Sequence, residues 1–263
     1  MESERIIQTN EAHAESKRWP NVLGRLWYFW SLFVAGFLVG ILGPPVITVC
    51  WLLNQRERVY PWALWGARMW LRLSGIKIII KGEKNLDHRK SYVFICNHRS
   101  YLDTAAIFAF AGQRIGVIAK KELLKIPIFG YGMGYVNILA IDRSNNQRAV
   151  ETMKAATDRL RSGVSFAVFA EGTRARPGEF LPFKKGGFYM AIEAGVPIAP
   201  VAIKNTDFLM GKKTGVAQAG TMEIVFLPPL ETEGLSTDED VVRLRDEVHA
   251  IIEEELYREG TDG

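Results

Sequence analysis

Cysteine and histidine are scarce in this chain of 263 residues, with two of the first and four of the second. Cys50 and Cys96 both fall in apolar stretches. They supply no disulfide framework and no cysteine-based metal site, and nothing in the chain reads as secreted. His13 lies in a polar N-terminal tail, His88 in a charged turn and His249 on an acidic helical stretch, each expected as a solvated surface residue. Only His98 follows an apolar run, and no other histidine has ligand-like placement, which argues against a metal centre. Tryptophan is missing after residue 70: Trp19, Trp27, Trp30, Trp51, Trp62, Trp65 and Trp70 all precede that point. Charge is missing from 26–55, thirty residues in succession. Internal repeats are missing as well.

What is present is an uneven charge on an apolar chain, 48% hydrophobic. From Glu231 to the end there are twelve acidic and three basic residues, a net of −9. With +4 overall, residues 1–230 carry +13 by difference. A body this basic suits an anionic partner, whether nucleic acid, an anionic membrane surface or a phosphorylated small molecule. Tryptophan and tyrosine clustered beside a long apolar run are the habit of a membrane interface. That points to lipid and away from nucleic acid.

The chain is expected to divide into a polar tail (1–20), a membrane anchor with an interfacial helix (21–75), a main domain (76–232) and a C-terminal acidic helix (233–263). As one straight helix, 26–55 would reach ~45 Å against a hydrocarbon core of about 30 Å. Gly43-Pro44-Pro45 breaks it near the middle, giving either a kinked spanning helix or a hairpin returning to the same face. Basic residues flank both ends: Lys17, Arg18 and Arg25 before, Arg56 and Arg58 after. Positive residues prefer the cytoplasmic side, so the hairpin is the favoured expectation, with the catalytic domain on that face. Between 60 and 75 an aromatic face with Trp62, Trp65 and Trp70 opposes Arg68 and Arg72, the pattern of a helix lying in the interface.

From Ile76 onward, short apolar runs alternate with helical patterns. Strands are expected at 76–81, 91–96, 115–119, 138–142, 164–169, 198–203 and 222–227. Helices are expected near 100–111, 122–136 (broken by Pro127 and glycines), 146–161 and 187–194. The alternation gives an α/β fold with a mixed, mostly parallel sheet flanked by helices. Pro200 places an edge or a bulge in its strand. A last helix runs over 236–257, with Ser236 and Glu239 as a capping box and Val241, Leu244, Val248, Ile251 and Ile252 on one apolar face.

The segment "FICNHRSYLD" sets His98 in the turn after a strand and Asp103 in the first turn of the next helix. Ser100 and Asp103 match a capping box, so the Asp103 carboxylate either satisfies backbone N–H groups or orients the His98 imidazole. One carboxylate can do both, and the second role would leave the other ring nitrogen free to accept a proton. "FAEGTRA" places Glu171, Gly172, Thr173 and Arg174 after another strand. This is either an ordinary turn or an anion site built from backbone N–H groups, a hydroxyl and a guanidinium. Lys120, Lys121 and Arg143 also follow strands, as do Lys184 and Lys185 after "FAEGTRA". Basic residues repeated at strand ends can converge on the crevice where α/β sheets bind ligands.

In this order, "NHRSYLD", "IDR", "FAEGTR" and "VPIAPV" resemble the four blocks of the glycerolipid acyltransferases, over residues 70–230, and are most similar to the 1-acyl-sn-glycerol-3-phosphate acyltransferase group. Ala170 stands where many members have Pro, and "GYVNILAIDR" is looser than the usual second block. The resemblance implies transfer of a fatty acyl group from an acyl-CoA or acyl-carrier protein thioester to the sn-2 hydroxyl of lysophosphatidic acid, without a cofactor. It implies His98 as general base, Asp103 as its orienter, and Glu171, Gly172, Thr173 and Arg174 as the holders of the glycerol phosphate. Lys120 and Arg143 would assist. Asn97, or the N–H groups at the Ser100 helix start, would stabilise the oxyanion. Two alternatives stay open: another lysolipid as acceptor, or a membrane lipid-binding protein of the same fold without turnover.

Overall fold

The computed structural model describes residues 20–126, 128–142 and 144–258. His13 and Trp19 lie outside them, as do Pro127 and Arg143. Seven strands make one sheet: β1 (Ile76–Lys81), β2 (Val93–Cys96), β3 (Ile115–Lys120), β4 (Ile138–Ile141), β5 (Ser165–Phe169), β6 (Ile198–Lys204) and β7 (Gly220–Phe226). Their spatial order is β1-β7-β6-β2-β5-β3-β4, and every neighbouring pair is parallel except β6 with β7. The expected strands are all present, with ends shifted by a residue or two.

Central strands buried on both faces read as continuous apolar runs, and β2 is the clearest case. Phe94 and Cys96 face one core layer, with Leu102, Ile107, Val201 and Ile224. Val93 and Ile95 face the other, with Leu160, Phe188, Val248 and Ile252. Helices α1 (Asn21–Leu52), α2 (Val59–Leu73) and α3 (Tyr101–Phe110) cover the first layer. Helices α4 (Asn146–Arg161), α5 (Gly186–Ala194) and α6 (Asp238–Tyr257) cover the second. Gly187 lets α5 close on the sheet: a Cβ there would stand 2.9 Å from Ile95 Cδ1.

The expected reversal at Gly43-Pro44-Pro45 does not occur. The chain stays helical from Asn21 to Leu52, and five residues, Leu38–Leu42, widen to a π segment just before the prolines. Prolines lack the N–H that an α-helix interior requires, and a local π register lets the helix pass them without breaking. The chain turns back only after Leu52, so α1 pairs with α2 instead of with itself. Trp70 Nε1 donates to Ser31 O at 2.9 Å, Trp30 Nε1 to Leu73 O at 3.0 Å, and the hydroxyls of Ser31 and Ser74 meet at 2.8 Å. α2 is the amphipathic helix expected, with Trp62 and Trp65 exposed. Its basic side is not solvated throughout, because Arg68 donates to Ala109 O at the end of α3.

Two further readings are resolved and one shifts. Residues 122–136 are broken as expected, into three short turns, Lys121–Lys125, Phe129–Gly132 and Met133–Val136. Pro200 is interior and marks a bulge: between the Val201↔Phe226 and Ile198↔Leu230 pairs, Ala199 and Pro200 oppose Leu227, Pro228 and Pro229. The capping box of α6 is Thr237 with Asp240, one residue later than expected.

Candidate active site

Strands β2, β3, β4, β5 and β6 all point the same way, so their C-terminal ends share one edge of the sheet. β2 and β5 are neighbours, yet the chain leaves them on opposite faces. After β2 it enters α3 in the first core layer and runs toward β3; after β5 it enters α5 in the second layer and runs toward β6. Such a divergence is the place where open α/β sheets form their ligand crevice, outside the strand ends. His98 follows β2 and Glu171 to Arg174 follow β5. The topology therefore brings the two motifs together.

Asp103 sits at the third position of α3 and is fully buried. Its Oδ2 accepts from Arg99 N at 2.7 Å and Ser100 N at 2.7 Å, and faces His98 Nδ1 at 2.9 Å. The carboxylate makes both sets of contacts at once. As the carboxylate accepts, Nδ1 carries the imidazole proton and Nε2 keeps its lone pair. Phe169, the last residue of β5, stacks on the imidazole with ring centres 4.1 Å apart. A ring pinned by a hydrogen bond at one edge and an aromatic face beneath has little freedom to turn. Ser100 closes the turn: its Oγ caps Leu102 N at 3.2 Å and donates to Met210 O at 2.7 Å.

The post-β5 loop lies alongside. Ala175 N donates to His98 O at 2.7 Å, and Lys212 Nζ holds Arg174 O. The Arg174 guanidinium lies 3.6 Å from the centre of the Tyr101 ring, at the first position of α3. Gly172 has φ of 70°, a left-handed conformation that suits glycine, and a Cβ there would come within 2.8 Å of Lys184 Cε. Thr173 is exposed and Arg174 half-buried. Lys120 is exposed at the end of β3, while Lys121 pairs with Asp142 at 2.7 Å and holds its carboxyl down at about 2. Arg143 falls outside the described residues.

Two expected ligand contacts turn inward instead. Asn97 is fully buried; its Oδ1 accepts from Ile203 N at 2.7 Å and its Nδ2 donates to Ile203 O at 2.9 Å. That amide continues the β2–β6 pairing past the strand end and does not face the crevice. The N–H groups of Arg99, Ser100 and Leu102 are likewise taken. Glu171 is only 2% exposed. Oε1 accepts from His98 N at 2.7 Å and Oε2 from Leu181 N at 3.3 Å. It therefore holds the backbone of His98 and of the following loop. Burial pushes it up to about 7, against the opposing pull of those two donors and of Arg99.

Sequence reasoning missed Arg99, Phe169 and Tyr101 as parts of the site. Arg99 is buried, donating to Glu179 O at 3.1 Å and pairing with Asp207 at 3.3 Å, so it straps the 176–183 loop over the turn. His249 is not a free surface residue, since its ring packs against Phe180 and Phe183 at 4.3 and 4.8 Å. No cluster of metal-ligating side chains occurs among the described residues.

The acyltransferase family profile matches residues 77–204. The 1-acyl-sn-glycerol-3-phosphate acyltransferase alpha of Mus musculus is 34% identical over 238 residues, 89% of this chain and 80% of that protein. The 1-acyl-sn-glycerol-3-phosphate acyltransferase of Saccharomyces cerevisiae is 32% identical over 250 residues, 90% of this chain and 81% of its own. The crystal structure of the 1-acyl-sn-glycerophosphate (LPA) acyltransferase PlsC from Thermotoga maritima superposes with a TM-score of 0.73. It is 26% identical, covering 88% of this chain and 94% of its own.

Proposed function

This chain belongs to the acyltransferase family and is an O-acyltransferase, and on that premise we propose that it moves a fatty acyl group from a thioester to the sn-2 hydroxyl of lysophosphatidic acid. The observation that carries the reading is the His98–Asp103 pair, 2.9 Å apart, at the same crevice as an arginine with no carboxylate within ion-pair distance among the described residues. His98 Nε2 takes the proton of the acceptor hydroxyl as that oxygen attacks the thioester carbonyl. The proton passes to the leaving thiolate as the tetrahedral intermediate collapses. Asp103 stabilises the imidazolium formed in between. Attack is direct, and the chemistry asks for no acyl-enzyme and no cofactor.

Positioned general-base catalysis contributes about 10²–10⁴ in rate, so alignment of the two substrates supplies much of the remainder. Arg174 carries the acceptor phosphate through its forked N–H groups. Gly172 and Thr173 shape that loop, and Lys120 adds positive charge at the neighbouring strand end. Glu171 serves the site from behind, through the His98 backbone. Arg143 keeps its assisting role as a proposal from the sequence alone.

The acceptor is a lipid, and the site must meet it at a surface. α1 is long and apolar enough to cross a membrane, at ~48 Å for 32 residues. It is also fastened to the catalytic domain at both ends: Ala217 N donates to Gly24 O at 2.9 Å, and Ile47 Cδ1 lies against Gly132. A helix tied along its length suits an anchor lying in the interface of the cytoplasmic leaflet, with Leu26, Phe29, Phe33, Trp51, Trp62 and Trp65 in lipid. The experiment is an acceptor and donor panel: purified protein in mixed micelles, several lysolipids, acyl-CoA or acyl-carrier protein thioesters, products identified by mass. Phosphatidic acid as the main product supports the reading. Turnover of only unphosphorylated acceptors, or none, sinks it.

A further inference from the structure

We propose that Tyr101 is a positioning residue for Arg174, fixing the plane and reach of the guanidinium that takes the acceptor phosphate; the inference rests on the phosphate reading of Arg174 given above. An arginine at a binding site has to be held without being neutralised. A carboxylate partner would hold it but would occupy the same N–H edge that a phosphate needs. An aromatic face holds the cation through the ring quadrupole and leaves those edges open. The guanidinium carbon lies 3.6 Å from the Tyr101 ring centre, within stacking contact. Among the described residues Arg174 has no carboxylate within ion-pair distance. Its backbone is fixed separately, because Lys212 Nζ holds its carbonyl and the next N–H goes to His98 O.

The placement of Tyr101 gives this contact a further consequence. Tyr101 and Asp103 are the first and third residues of α3, about 200° apart around the helix. Asp103 is fully buried and points to His98, while Tyr101 is 48% exposed and carries Arg174. One helical turn, capped by Ser100, thus sets the position of the base and of the cation together. The distance from the attacking hydroxyl to the phosphate is fixed in the acceptor, so a shared turn matches two points of one molecule.

The test is steady-state kinetics with lysophosphatidic acid in mixed micelles for Tyr101→Leu, Tyr101→Phe, Arg174→Ala and the Tyr101→Leu/Arg174→Ala double variant. A partly exposed cation–π contact predicts a rise of about threefold to tenfold in acceptor KM for Tyr101→Leu. kcat at saturating acceptor and donor KM should hold, and Tyr101→Phe should restore the wild-type KM. In the Arg174→Ala background Tyr101→Leu should add nothing. If Arg174→Ala raises KM but Tyr101→Leu does not, or if Phe fails to restore it, the positioning role is overturned while the phosphate reading stands. If Tyr101→Leu has the same effect with and without Arg174, the aromatic ring acts on the acceptor directly and the proposal is wrong. An unchanged KM in Arg174→Ala overturns the phosphate reading and this inference with it.

Discussion

At the scale of single residues, the site turns on which polar side chains face the crevice and which face the backbone. Asp103→Asn keeps the shape of the turn but replaces the group that holds Nδ1–H, and kcat should fall by about 10²–10⁴ while acceptor KM changes little. Kinetics indistinguishable from wild type would mean that the carboxylate is only a cap. Glu171 makes a pH-dependent prediction. Its carboxyl titrates at about 7 in the fold, above its ordinary 4.5, so the fold favours the protonated form. That stability is present below about 4.5 and is lost as pH rises through about 7. Glu171→Gln cannot ionise, so its unfolding free energy should gain on the wild type between pH 5 and pH 8, by about 3 kcal/mol at most, read from denaturant unfolding at each pH. A gap constant with pH would contradict the burial argument. His98, Asp103 and Arg174 could be singled out in the sequence because their chemistry and spacing are specific, and the fold places His98 against Asp103 and Arg174 on the Tyr101 ring. Asn97 and Glu171 were misread for a physical reason. Polarity says that a side chain needs partners, but their partners are backbone groups 106 and 73 positions away along the chain.

At the scale of elements, the strands were readable because a parallel sheet buried on both faces requires continuous apolar runs, and this chain alternates them cleanly with helical patterns. Reading failed where backbone geometry overrode local preference. Two prolines after a glycine normally stop a helix, yet the Leu38–Leu42 π segment carries α1 through them. The 122–136 stretch, by contrast, splits into three turns as its glycines and proline announced, with positive φ at Ile128 and Asn137. The turn from β2 into α3 depends on Ser100, which caps one N–H and satisfies a carbonyl in another segment. Ser100→Ala should lower stability by about 1–2 kcal/mol, as losing a cap and leaving a buried carbonyl unpaired both cost free energy. Denaturant midpoints in detergent would measure it, and an unchanged midpoint would show that the cap is not needed.

At the scale of the whole molecule, charge and aromatic placement bear on the proposed work at a membrane surface. On that reading the basic body meets anionic headgroups while the tryptophans of α1 and α2 enter the interface. Binding to vesicles rich in anionic lipid should weaken as salt rises, and replacing both Trp62 and Trp65 by Ser should weaken it further without altering turnover in mixed micelles. Vesicle binding insensitive to both would detach the aromatic helix from the membrane. Composition alone suggested this organisation, whereas the pairing of α1 with α2 needed the fold, because contacts such as Trp70 to Ser31 are tertiary. The central claim is that His98, held by Asp103, deprotonates a phosphorylated lipid acceptor for acyl transfer. Its most direct test is the rate of phosphatidic acid formation from lysophosphatidic acid and an acyl thioester by vesicle-bound wild type and His98→Ala. The account predicts product from the wild type, and loss of at least about 10²-fold in the variant with vesicle binding intact. Comparable rates from both proteins would contradict it.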